Sequence, residues 1–90
     1  MSTLIHECDV LYVMFLELKV QAGQVDPWDA DARVRWIGQC TDVLTAVPDD
    51  VQRWTWAYYL AHTLSARLPG QPFELVMGWL WKGHDGRSVR

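Results

Sequence analysis

Residues 10–22, Val10-Leu11-Tyr12-Val13-Met14-Phe15-Leu16-Glu17-Leu18-Lys19-Val20-Gln21-Ala22, admit two readings. Leu16 to Gln21 alternates apolar and polar side chains as a strand does, and Val10 to Phe15 is rich in β-prone residues. A longer pattern runs through the same residues. Leu4, Cys8, Leu11, Phe15, Leu18 and Ala22 recur at intervals of four and three, which is one stripe of an α-helix. Ile5, Tyr12 and Leu16 widen it. The stripe spans the whole segment and the alternation only part of it, so the segment is read as helix and the chain as all-α.

Punctuation on the C-terminal side supports that reading. Gly23 stands where a helix stop is expected. Asp26-Pro27 reads as an N-cap followed by a proline at the first helical position, with Asp29 and Asp31 in the first turns. Ala30, Val34, Ile37, Thr41 and Leu44 then share a face with Trp36, Cys40, Val43 and Val47, up to Pro48. Asp49, with Gln52 three residues on, opens a third segment as a variant capping box. Val51, Trp54, Ala57, Tyr58, Leu60, Ala61, Leu64 and Leu68 form its wide apolar face, and Pro69-Gly70 stops it. A fourth runs from Pro72 to Lys82, with Gly83 as its stop. The expected fold is all-α, a compact bundle of about four helices over residues 3–22, 27–46, 50–68 and 72–82. The expected organisation is a single helical domain over residues 1–83 and a flexible C-terminal tail over 84–90.

Composition bounds the function. Ninety residues, half of them hydrophobic and 21% charged, are ordinary for one small globular domain. Its six tryptophans, three tyrosines and two phenylalanines can supply much of a small core. The net charge of −3 argues against a nucleic-acid binder, which needs a basic footprint. Charge is uneven: residues 1–50 carry nine acids and three bases, residues 51–90 two acids and five bases. Such halves can attract each other within a chain or between chains. Two cysteines are too few for a disulfide scaffold. No basic, apolar leader opens the chain, and its longest apolar run, Val10 to Leu16, is far short of a membrane span. A cytoplasmic protein with reduced cysteines is therefore expected.

Specific chemistry is sparse. His6, Glu7 and Cys8 are adjacent but diverge on a helix, and no zinc-type spacing occurs. Cys8 and Cys40 fall on core faces. A site assembled from His6, Cys8, Cys40 and His62 has no local signature, nor does a Cys40–His62 nucleophile pair. His84, in Gly83-His84-Asp85-Gly86, reads as a polar turn. Phosphate binding lacks a glycine-rich loop. No cofactor and no metal are expected, and the chain is read as not an enzyme. Arg33, near the apolar arc of the second helix, is expected to pair with an acid at the rim of the core or to reach outward.

The surplus of apolar side chains is more informative. Trp54 and Trp56 point about 160° apart on a helix; Trp54 joins the apolar arc, while Trp56 falls with Tyr59 on the otherwise polar side, which reads either as an exposed aromatic patch or as a third helix that is central and surrounded on all sides. The fourth helix is apolar all round, including Trp79 and Trp81, and demands burial, a second copy or lipid. Val10, Val13 and Met14 lie outside the main stripe of the first helix. The expected function is therefore a small protein–protein interaction module, an adaptor, assembly chaperone or inhibitor, that docks an aromatic-rich helical surface and self-associates as a homo-oligomer. Trp56, Tyr59, Trp79 and Trp81 are the candidate anchors, and the acidic half suits a partner with a basic surface. The alternatives are a peripheral membrane binder using the fourth helix and its basic tail, and a small enzyme using Cys40 or His62.

Overall fold

Four α-helices and no strand are found among the described residues: α1 (Thr3–Ala22), α2 (Ala30–Ala46), α3 (Asp50–Ser65) and α4 (Phe73–Trp81). The structure is a computed structural model that describes residues 3–68, 70 and 73–81, with the backbone alone for residues 3–9. Residues 10–20 are thus helical: the four-three stripe overrides the short alternation. The tail over 84–90, with His84, lies outside the described residues, as do the side chains of His6 and Cys8.

The helix ends show where local signals act. Asp49 caps α3, its side chain accepting from the Gln52 amide at 3.0 Å. The start of α2 is a correction: it begins three residues after Pro27, with Asp29 as the N-cap accepting from the amides of Asp31 and Ala32. Asp26 instead accepts from the Trp28 amide at 3.0 Å, closing a tight turn. The C-terminus of α3 also comes earlier than expected. After Ser65 the chain tightens, with Arg67 N donating to Leu64 O and Leu68 N to Ser65 O. Gly70 then takes φ 87°, a conformation that favours glycine.

Gly23 follows α1 without a left-handed turn, since Gly70 is the one described residue of positive φ. A distant side chain caps this end instead. Arg67 Nη1 donates to Ala22 O at 2.7 Å and to Val25 O at 2.6 Å. A cation on the last carbonyls of a helix also meets the negative end of its dipole.

The helices pack with α1 against α2 and α3, and α4 against α2 and α3. Phe15, Leu18 and Ala22 supply the share of α1 in the core; Trp36, Ile37, Cys40, Val43 and Leu44 that of α2; Trp56, Ala57, Leu60, Ala61 and Leu64 that of α3; Val76, Trp79 and Leu80 that of α4. Buried tryptophans bring polar atoms that need partners. The Trp36 indole donates to Leu18 O on α1 at 3.0 Å, tying α2 to α1.

Arg33 is 1% exposed and neither sits at the rim nor reaches outward. Its guanidinium donates to Pro27 O at 2.7 Å and lies 5.4 Å from the centre of the Trp79 ring. Burial lowers its pKa, and the negative charge of Asp29 opposes that shift. The same residues explain the late start of α2: the carbonyl of Pro27, turned inward, is the acceptor that Arg33 needs.

Candidate functional site

The four sequence-derived anchors separate into two groups. Trp56 is 8% exposed and Trp79 2% exposed, whereas Tyr59 is 51% and Trp81 38% exposed. Trp56 belongs to the core between α1 and α3, its ring stacked on Phe15 at 4.8 Å and tilted against Tyr12 at 6.5 Å. The expected Trp56–Tyr59 surface pair is therefore not formed. The sequence places the centre of the α3 apolar arc correctly but misjudges its edges. α1 covers the Trp56 side of the arc, and Trp54, assigned to the arc, is exposed along with Val51. Periodicity within one helix cannot say which flank a neighbour will cover.

The apolar coat of α4 is largely used inside the chain. Val76, Trp79 and Leu80 are buried and Trp81 alone among its large side chains is exposed. The interfacial-membrane geometry loses one of its two tryptophans, because Trp79 faces Arg33. No described helix is long and apolar enough to cross a membrane.

What stands exposed is an aromatic surface whose rings are held in place. Trp54 stacks on Tyr58 at 5.2 Å, one helical turn apart. Tyr58 meets the edge of Tyr59 at 6.1 Å, the His62 ring at 4.5 Å and Phe73 of α4 at 5.1 Å. His62 in turn stacks on Phe73 at 4.3 Å. Two cations steady the flanks: Lys19 Nζ lies 5.9 Å from the Tyr59 ring centre, and the Arg53 guanidinium 5.2 Å from that of Trp81. Arg53 is also paired with Asp50. Beside Trp81, a hollow of about 320 Å³ is lined by Thr41, Leu44, Thr45, Arg53 and Leu80. The spacing Val51-Trp54-Tyr58-His62 is itself a helical stripe, so this surface was visible in the sequence as a pattern, though not as an exposed one.

Cys40 is free and fully buried, and burial pushes its thiol pKa far up, so it is a poor source of thiolate. His62 is engaged by two aromatic rings. Among the described residues no group of three or more His, Cys, Asp or Glu side chains is placed to hold a metal ion. The surface offers stacked rings, a flanking hollow and fixed cations, which suit non-covalent docking. No family model, curated protein or solved structure matches this chain. The class that fold and surface define is a small all-α bundle with aromatic clusters.

Proposed function

We propose that this protein is a cytoplasmic helical interaction module that binds a protein partner through its exposed aromatic surface and also self-associates. The observation that carries the reading is that Trp54, Tyr59 and Trp81 are exposed, each with a ring or a cation packed beside it. Exposed large aromatics with restricted motion lose little entropy on docking, which is why such residues dominate interface energetics. Tyr59 and Trp81 keep the anchor role, and Trp54 joins them. Trp56 and Trp79 support them from the core. The acidic N-terminal half favours a basic surface on the partner, as in an adaptor, chaperone or inhibitor.

The test compares proteins captured from lysate by the wild type and by a Trp54→Ala, Trp81→Ala double variant. The double variant keeps its helicity and loses the captured species. Retention of the same species at the same salt would overturn the anchor assignment. Trp56→Ala serves as the contrast, since it lowers thermal stability directly.

A further inference from the structure

Self-association needs a face, and the self-association in the reading above is the premise here. Apolar side chains stand open on the outer side of α1, and Met14 among them borders the seam between α1 and α2. Val10, Val13, Met14, Leu16 and Val20 are all exposed on α1, with Val13 and Val20 at 60%. Two hollows lie along the seam, of about 320 and 280 Å³, and both are bordered by Gln21 of α1 and Gln39 of α2. The first also takes in Glu17 and Asp42, the second Arg35. Together they make one furrow, with Leu18 and Val43 lining one part and Val25 and Trp36 the other.

The charges along this furrow have an order. Glu17 and Asp42 stand at one end, the neutral pair Gln21 and Gln39 in the middle, and Arg35 at the other end. Along α2, Arg35 precedes Gln39 by four residues and Asp42 follows it by three, so the opposite charges are nearly equidistant from the centre. Neither Arg35 nor Asp42 has an ion pair among the described residues. Asp31 lies a turn beyond Arg35 and does not border the furrow.

A furrow that is negative at one end, neutral at its centre and positive at the other is self-complementary about a two-fold axis through the centre. We propose that a second copy of this chain docks here, with the Gln21–Gln39 pair at the two-fold axis. Arg35 of each copy then faces Glu17 and Asp42 of the other. An isologous contact of this kind makes each charge pair twice and closes at two subunits. Met14, at the rim of the furrow, is covered in the same contact, while Trp54, Tyr59 and Trp81 do not border the furrow and are left for a different partner.

The experiment is charge reversal read by light scattering and sedimentation. Wild type gives twice the 10.4 kDa of one chain at high concentration. Arg35→Glu makes both ends of the furrow negative, and Glu17→Lys with Asp42→Lys makes both positive. Each variant alone is monomeric with unchanged helicity, because all three positions are exposed. Mixed at equal ratio, the two variants regain the dimer mass. A wild type that is monomeric at every concentration overturns the proposal and the self-association premise together. A wild-type dimer that both variants retain overturns this face alone and leaves self-association standing. Two monomeric variants that do not recombine overturn the reciprocal geometry.

Discussion

Arg33 is the residue on which α2, the 26–29 turn and α4 converge. It is charged and buried, supplies a donor to the Pro27 carbonyl and presents its cation to the Trp79 ring. Replacing it with Met keeps much of the stem volume but leaves the Pro27 carbonyl without that donor. The expected cost is about 2–3 kcal/mol in urea unfolding. Arg33→Ala costs more, because a cavity opens beside Trp79. Cys40 makes a second prediction, in pH. In the unfolded chain its thiol titrates at the ordinary value of 9.0, and in the folded chain burial raises it. Below pH 9 both states hold the proton and the group has no effect. Above it the unfolded chain ionises first, so stability falls by roughly 1 kcal/mol per pH unit. Cys40→Ala removes that part of the alkaline slope. Chemical denaturation of the two proteins at about pH 8 and above measures the difference.

At the scale of the helices, capping chemistry decides the boundaries. Asp29→Ala removes a side chain that accepts from two amides and is expected to cost about 1 kcal/mol. Asp26→Ala, which loosens only the turn at Trp28, costs a few tenths by the same reasoning. A sequence-only assignment of the cap to Asp26 implies the opposite order, so paired thermal melts separate the two. The extents of α1 and the start of α3 were legible because their signals are local: an unbroken stripe, and Asp49 after Pro48. The start of α2 was not, because Asp26-Pro27 and Asp29 offer the same chemistry and Arg33, six residues on from Pro27, settles between them. The exposed aromatic surface was half legible for a related reason. Tyr59 and Trp81 are exposed, as their sequence positions suggest, but whether Trp54 or Trp56 meets water depends on where α1 lies. That is fixed by Phe15 stacking on Trp56, a contact between residues 41 apart in the chain.

Across the whole molecule, the bundle measures 47 × 23 × 18 Å and is elongated. An elongated bundle has more surface for its core volume than a sphere, and α1 carries much of the apolar share. A dimer on the α1–α2 furrow brings exposed charges together, so it weakens as salt rises. Sedimentation at low and high ionic strength measures this, and Glu17→Gln with Asp42→Asn flattens the dependence.

The Arg67 strap has a consequence for the order in which the chain becomes a fold. The end of α1 is held by a guanidinium 45 residues downstream of Ala22. At synthesis rates of about 5–20 residues per second, those 45 residues take about 2–9 s to appear. For that interval α1 lacks its clasp, and for the first 34 residues of it also the Trp56 ring that covers Phe15. Its apolar side chains, on the outer side as well as the inner, are then open to any holdase nearby. The nascent chain is therefore most vulnerable to aggregation before residue 67 emerges, and a stall placed just upstream of that codon should expose α1 to protease, whereas a stall placed well beyond it should protect α1.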